Sequence, residues 1–163
     1  MQLFLIQKES FTFVKQNFSM IQRIQTIYLL IASILSGGII FTSALWENSL
    51  SQEIFALDLL QQEGLTLKAI PTLYILSAIV PFIAIFLFKN RQLQFVLGRL
   101  TLLINLILLG ILIYVSQTLP GEMQVSEKGI GMFIPVVVIL LIVLANKAIK
   151  KDENLVKSAD RLR

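Results

Sequence analysis

Two residue types are missing from this sequence, cysteine and histidine. Its 163 residues include no Cys and no His. Disulfides, thiol nucleophiles, Cys or His metal ligands and His general bases are therefore excluded together. We expect no catalytic residues, no cofactor and no metal site, and we interpret the chain as non-enzymatic.

Charged residues are scarce. They make up 15% of the sequence, and hydrophobic residues make up 56%. Soluble globular proteins average about 25% charged and roughly 45–50% apolar residues, so this composition indicates an integral membrane protein. The net charge of +4 could suggest nucleic-acid binding, but the basic residues adjoin apolar runs, where membrane topology accounts for them. We expect contact with a lipid bilayer and not with nucleic acid.

Four uncharged runs are long enough to cross a membrane as helices. They cover about residues 27–46, 69–88, 100–117 and 130–146. A hydrocarbon core about 30 Å thick requires roughly 20 residues of helix. The predicted fold is all-α, an integral membrane bundle of four transmembrane helices. We expect a single domain over residues 20–163, ending in a tail over residues 147–163, after an N-terminal extension over residues 1–19.

The basic residues predict the orientation of this bundle. Of the 14 Lys and Arg residues, only Lys68 and Lys128 fall between the first and second runs or between the third and fourth. Loops on the cytoplasmic side of a membrane carry the excess of Lys and Arg. We predict a multi-pass membrane protein with both termini in the cytoplasm.

The longest polar segment, residues 47–68, favours a small extracytoplasmic β-hairpin. Residues 56–60 and 65–69 alternate in polarity around the turn-forming residues 61–64. A short helix over residues 52–62 is the alternative, because Ile54, Leu57 and Gln61 also keep helical spacing. Either structure would cover the outer end of the bundle.

Two further patterns bear on the same end of the bundle. Residues 123–126 are a candidate third strand beside the hairpin. Trp46 closes the first run, as expected of an aromatic residue at a membrane interface. We therefore expect the first span to end at Trp46.

Small and polar residues within the runs predict how the helices pack. Asn105 lies inside the third run, where it could contact a substrate or form an interhelical hydrogen bond. Pro81 lies mid-helix and predicts a kink, whereas Pro71 is expected at a helix start, where its missing N–H costs nothing. We favour packing roles for Asn105 and Pro81. Two rows of small residues in the first run predict close helix contacts: Ala32, Ser36 and Ser43, and Ser33, Gly37 and Ala44.

The tail is predicted to be an amphipathic helix. Glu153 and Lys157 form a favourable i, i+4 pair, and apolar residues recur on one helical face. Either the helix lies on anionic lipid or it docks a partner. We expect deletion after Lys151 to leave the bundle intact. The candidate docking residues are Leu155, Val156, Ala159, Leu162, Lys157, Arg161 and Arg163.

Three segments of the sequence are distinctive: residues 20–30 (MIQRIQTIYLL), 87–91 (LFKNR) and 151–163 (KDENLVKSADRLR). Together they resemble a bacterial family, domain of unknown function 4293, and the resemblance covers residues 20–163. It implies a four-span protein of the bacterial cytoplasmic (inner) membrane without an assigned activity, and it supplies no catalytic residues. Members of the family commonly begin at the MIQRIQ segment, which implies Met20 as the natural start.

The predicted function is that of an accessory or scaffold subunit of an envelope membrane complex. Its partner would be another membrane protein or a second copy of this chain. The alternative is a small transporter or channel for an uncharged or lipidic substrate. Transporters usually place ionisable residues inside their spans, and the four runs contain none.

Overall fold

Four helices dominate the chain. The structure, a computed structural model, describes residues 24–38, 40–48, 50–88, 90–118 and 127–161. The helices are α1 (Ile24–Thr42), α2 (Leu65–Phe86), α3 (Arg91–Thr118) and α4 (Ile134–Arg161). By length and composition all four could cross a membrane, α4 through the stretch Ile130–Asn154. The predicted four-helix fold of a membrane protein is confirmed.

Helix α2 begins earlier than its uncharged run. Lys68 lies in its first turn and donates its backbone N–H to the carbonyl of Gly64 at 3.2 Å. Gly64 has a φ of 124°, a conformation that favours glycine. The turn at Gly64 therefore sets the start of α2, ahead of the uncharged run that begins after Lys68. The prediction for Pro71 was therefore wrong. Pro71 lies inside α2, about 9 Å along its axis, and the helix continues past both Pro71 and Pro81.

A three-stranded antiparallel sheet lies beside the helices. Its strands are β1 (Trp46–Glu47), β2 (Glu53–Ile54) and β3 (Glu127–Lys128), in the order β2-β1-β3. Trp46 pairs with Ile54 and with Lys128. The first span thus ends at Thr42 and not at Trp46, which lies in the central strand.

The predicted hairpin was wrong in its position. Asp58–Leu60 forms a 3-10 helix, and residues 65–69 belong to α2. The Asp58 carboxylate accepts a hydrogen bond from the backbone N–H of Phe55 at 2.9 Å, a local bond that favours a turn over a strand. The alternative helix over residues 52–62 is limited to this 3-10 turn. The N-terminal extension, residues 1–19, and the candidate strand, residues 123–126, lie outside the described residues.

The sheet and its loops pack on one end of the bundle, which we call the capped end. Tyr74 of α2 donates its hydroxyl to the carbonyl of Gly131 at 2.8 Å. The backbone N–H groups of Gly129 and Gly131 donate to the carbonyls of Leu45 and Ala44 at 2.9 and 3.0 Å. The buried apolar core here comprises Ile40, Leu45, Trp46, Ala56, Leu59, Leu67, Ile70, Tyr74, Leu108, Leu112, Val115 and Met132.

Helix α1 approaches α2 closely through small residues. The Ser33 hydroxyl donates to the carbonyl of Ala78 at 2.7 Å. A Cβ built on Gly37 would lie 3.4 Å from the Cβ of Ala78, so the two helices are in van der Waals contact. This is the close contact that the small residues of the first run predict.

Three helices share one buried polar network. The hydroxyls of Ser36 and Ser77 lie 3.0 Å apart, and the Asn105 amide donates to Ser77 Oγ at 2.7 Å and to the carbonyl of Thr101 at 2.8 Å. Asn105 is 1% exposed. Of the two interpretations of Asn105, the structure shows the interhelical hydrogen bond.

Candidate functional site

The two ends of the bundle differ in charge. At the capped end lie Glu47, Glu53, Asp58 and Glu63, together with Lys68 and Lys128. At the opposite end α3 begins and α4 ends, and it carries Arg91, Arg99, Lys147, Lys150 and Lys151. We call this opposite end the basic end. The charge division follows the predicted topology, while the compartment that each end faces stays a prediction.

At the basic end, α3 and α4 are joined by a buried ion pair. Arg91 Nε lies 3.2 Å from Asp152 Oδ2, and Arg91 Nη1 donates to the Asp152 carbonyl at 3.3 Å. The Asp152 side chain is 1% exposed and that of Arg91 is 21% exposed. The contacts between α3 and α4 therefore continue along α4 for about 9 Å beyond Asn146, the last residue of the uncharged run. Asp152 thus packs against α3, and a deletion after Lys151 would remove this ion pair. That the bundle stays intact after such a deletion remains a prediction.

The α3–α4 contact below this ion pair is tight. Gly98 faces Asn146, and a Cβ at position 98 would overlap the Asn146 amide. Gln94 lies between Arg91 and Gly98 on the same face of α3 and is fully buried. On α4, the buried residues are Ala145, Ile149 and Asp152. Each lies about one helical turn from the next, so all three share one face of the helix. The two helices thus form one packed pair out to Asp152.

Several polar atoms buried at the basic end lack a hydrogen-bond partner in the described part of the chain. They are Gln25 Oε1, Gln94 Oε1 and Nε2, Asn146 Oδ1 and the carboxylate oxygens of Asp152, which has its ion pair to Arg91. Burying such atoms costs free energy. Sequence reasoning missed these residues, although Gln94 keeps helical spacing with the buried residues Gly98 and Thr101.

Beyond Asp152, α4 continues as a helix to Arg161. Glu153 Oε1 and Lys157 Nζ lie 2.7 Å apart, as predicted, and Lys157 is 65% exposed. We call residues 153–161 the α4 extension. The structure places the backbone of Leu155, Val156, Ala159 and Arg161 on this helix; their side-chain contacts, and residues Leu162 and Arg163, lie outside what it describes.

A groove lies along the same part of α4. It has a volume of about 500 Å³ and is lined by Lys147, Lys150, Lys151, Asn154 and Ser158. We call it the basic groove. It begins where the uncharged run ends, at Lys147.

A second pocket, of about 310 Å³, lies at the capped end. Its charged lining residues are Glu47, Glu53 and Lys128, and its aromatic one is Trp46. Trp46 is fully buried, and its indole N–H has no hydrogen-bond partner among the described residues. Within those residues, no group of three or more His, Cys, Asp or Glu side chains is arranged to hold a metal ion.

A known protein family matches most of the chain. The family model described as domain of unknown function (DUF4293) matches residues 21–162, a span that contains all four helices. The chain belongs to this family. No curated protein and no solved structure matches it. Membership of DUF4293 confirms the resemblance seen in the sequence and carries no activity with it, so a function for this member is argued from its geometry.

Proposed function

We propose that this DUF4293 protein is a non-enzymatic accessory or scaffold subunit of a membrane complex in the bacterial envelope, and that the α4 extension is its docking element. One observation carries the proposal. Helix α4 does not end with the bundle but continues to Arg161, about 13 Å beyond the ion pair at Asp152. A helix of this kind is suited to binding a partner outside the membrane.

The direction of the α4 extension supports binding to a protein partner and not to the lipid surface. Residues Ile134–Arg161 form one helix of 28 residues, about 42 Å long, which exceeds a hydrocarbon core of about 30 Å. The Arg91–Asp152 ion pair holds α4 against α3 outside its uncharged part. An unbroken helix that crosses the membrane cannot also lie flat on it, so the α4 extension points away from the bilayer.

The sequence of the α4 extension supplies the recognition chemistry. The helical spacing of the sequence predicts one apolar stripe of Leu155, Ala159 and Leu162, with Val156 beside it. Amphipathic helices bind partners through such a stripe, laid into an apolar groove. The partner is either another membrane protein or a second copy of this chain.

The polar residues inside the bundle also favour a subunit over a transporter. Ser36, Ser77 and Asn105 hydrogen-bond to one another across α1, α2 and α3. Groups bonded in this way stabilise helix packing, whereas transport sites usually carry ionisable side chains within the membrane. The bundle therefore acts as a rigid support for the α4 extension.

The decisive experiment is co-purification from native membranes with the full chain, a chain truncated after Asn154, and the variants Leu155→Asp and Leu162→Asp. Truncation after Asn154 keeps Asp152 and its ion pair, so the bundle stays folded. We expect the full chain to retain a stoichiometric partner and the truncated chain to lose it. Each Asp variant should weaken the association at least tenfold, because an unpaired charge would enter a buried apolar contact.

Asn154→Asp is the matched control, because it introduces the same side chain at an exposed position of the same helix that is not among the candidate docking residues. It should retain the partner. Tagged and untagged copies expressed together distinguish a second copy of the chain from a different protein. Recovery of the same partner by the truncated chain would contradict the proposal.

The proposed orientation places both termini in the cytoplasm. It is supported by the clustering of basic residues where α3 begins and α4 ends. A phosphatase that is active only outside the cytoplasmic membrane, fused after Arg163, should be inactive, and the same enzyme inserted after Ser51 should be active. The reverse pattern would overturn the orientation and leave the fold unchanged.

A further inference from the structure

Two buried glutamines of the basic end lie at one depth of the bundle. Helices α1 and α3 both begin at this end, and they are joined at mid-depth because Ser36 and Asn105 both hydrogen-bond to Ser77. Along α1, Gln25 lies about 16 Å from Ser36. Along α3, Gln94 lies about 16 Å from Asn105. Gln25 and Gln94 therefore reach the same level, and each is at most 1% exposed.

Helix α2 does not extend to this level. It ends at Phe86, about 13 Å along its axis from Ser77, and its last buried residue is Ala84. In the described part of the chain, the core beyond Ala84 is formed by α1, α3 and α4. The start of α3 and the end of α4 are therefore held together mainly by their contacts with each other.

The amide groups in this three-helix part are buried without hydrogen bonds. Among the described residues, Gln25 Oε1, Asn146 Oδ1 and both polar side-chain atoms of Gln94 have no partner. Water does not reach them, since these atoms are inaccessible to solvent. Buried polar atoms without partners cost free energy, and they recover it when water can bind them. The amides thus favour separation of the helices.

Opposing contacts hold α3 and α4 together. Ile149 is fully buried on α4, and farther out Arg91 Nε lies 3.2 Å from Asp152 Oδ2. Arg91 is the first residue of α3, so this ion pair lies at the very end of the α3–α4 contact. Separation of the two helices from this end requires the ion pair to break first.

We propose that the basic end of the bundle opens and closes, and that the Arg91–Asp152 ion pair is the latch that holds it closed. In the open form, α3 and α4 are separated beyond the contact between Gly98 and Asn146, and water hydrogen-bonds to the buried amides. The capped end is the same in both forms. Opening moves the α4 extension relative to the bundle, and this consequence for docking rests on the proposed function.

The test measures the separation of the two helix ends in the full chain. The sequence contains no Cys, so introduced cysteines place spin labels at chosen positions alone. Gln92→Cys and Asn154→Cys lie at exposed positions of α3 and α4. Pulsed electron spin resonance in lipid nanodiscs should show two distances, of which the longer is less populated. Arg91→Gln should increase the longer population about fivefold, because it removes the latch.

Gln94→Leu should have the opposite effect. Leucine has a similar size and gains no hydrogen bond from water, so the closed form is favoured. Alone or added to Arg91→Gln, it should reduce the longer population about threefold. Glu153→Gln is the matched control, since it breaks the exposed pair with Lys157 on the same helix; it should leave both populations unchanged.

A second pair of labels, at Leu65→Cys and Gln117→Cys, reports on the capped end, where both positions are exposed. Its distance should be the same in every variant. The proposal is overturned if the native chain and Arg91→Gln share one narrow distance at the basic end, if Gln94→Leu increases the longer population, or if Arg91→Gln changes the distances at both ends. These measurements involve no partner, so failure of the opening is distinct from failure of the docking proposal.

Discussion

The capped end and the basic end of this bundle are closed by different interactions. At the capped end, apolar side chains such as Trp46 and Leu59 are fully buried, and backbone hydrogen bonds join Gly129 and Gly131 to the chain before β1. At the basic end, the buried groups include Gln94 and Asp152, and several of their polar atoms lack a partner in the described residues.

This difference predicts which substitutions each end of the bundle tolerates. Close packing of backbone on backbone leaves no room for added atoms, so the capped end should be sensitive to volume. A buried carboxylate is costly unless it is paired, so the basic end should be sensitive to charge. Five substitutions and two control variants test this comparison by thermal unfolding in detergent.

Arg91→Gln should have the largest effect, a destabilisation of about 3 kcal/mol, because it leaves the Asp152 carboxylate buried without its cation. Asp152→Asn should cost less, since Arg91 is partly exposed and water can solvate it. Glu153→Gln, which breaks the exposed pair with Lys157, is the control and should leave stability unchanged. If Asp152→Asn destabilised the protein more than Arg91→Gln, the burial of the Asp152 carboxylate would not explain the loss of stability.

Gly129→Ala should have the next largest effect, a destabilisation of about 2 kcal/mol, because the added methyl group would overlap the backbone carbonyl of Ala44. Gly129 has a φ of −72°, so the cost is steric and not conformational. Gly110→Ala is the matched control: nothing lies within 4 Å of its Cβ position, and alanine favours the helix. A neutral Gly129→Ala variant would show that the capped end is not tightly packed.

Asn105→Leu, between the two ends, should cost about 0.6 kcal/mol, the average for a hydrogen bond between helices in a membrane. The Ser36–Ser77 bond remains in this variant. The cellular function should be kept, since Asn105 is assigned to packing. A stable Asn105→Leu protein without function would support the transporter alternative.

Gly98→Ala should have the smallest effect, within about 0.5 kcal/mol of zero. Its methyl group would meet the Asn146 side chain, which can rotate, whereas the methyl group of Gly129→Ala meets backbone, which cannot. The gain in helix propensity offsets the remaining contact. Equal losses for Gly98→Ala and Gly129→Ala would remove the proposed difference between the ends.

The candidate site could be predicted only in part. The amphipathic pattern around Leu155 identified the tail as a helix, because a repeat at helical spacing is a local property of the sequence. The same pattern does not reveal that Gln94 and Asp152 are buried. Whether a polar residue at a helix end faces water or a neighbouring helix depends on how far that neighbour extends, and the sequence of one helix does not carry this information.

The sequence by itself determined that the chain has four membrane-spanning helices, because uncharged runs of this length need their backbone hydrogen bonds satisfied internally. It also determined the uneven distribution of charge between the two ends. Tertiary structure alone decided that β1 pairs with both β2 and β3 and that Arg91 meets Asp152. Such contacts join residues far apart in the chain, and local alternation, as in residues 56–69, fits a strand and a helix turn equally well. The packing of the bundle brings these segments together and so selects between them.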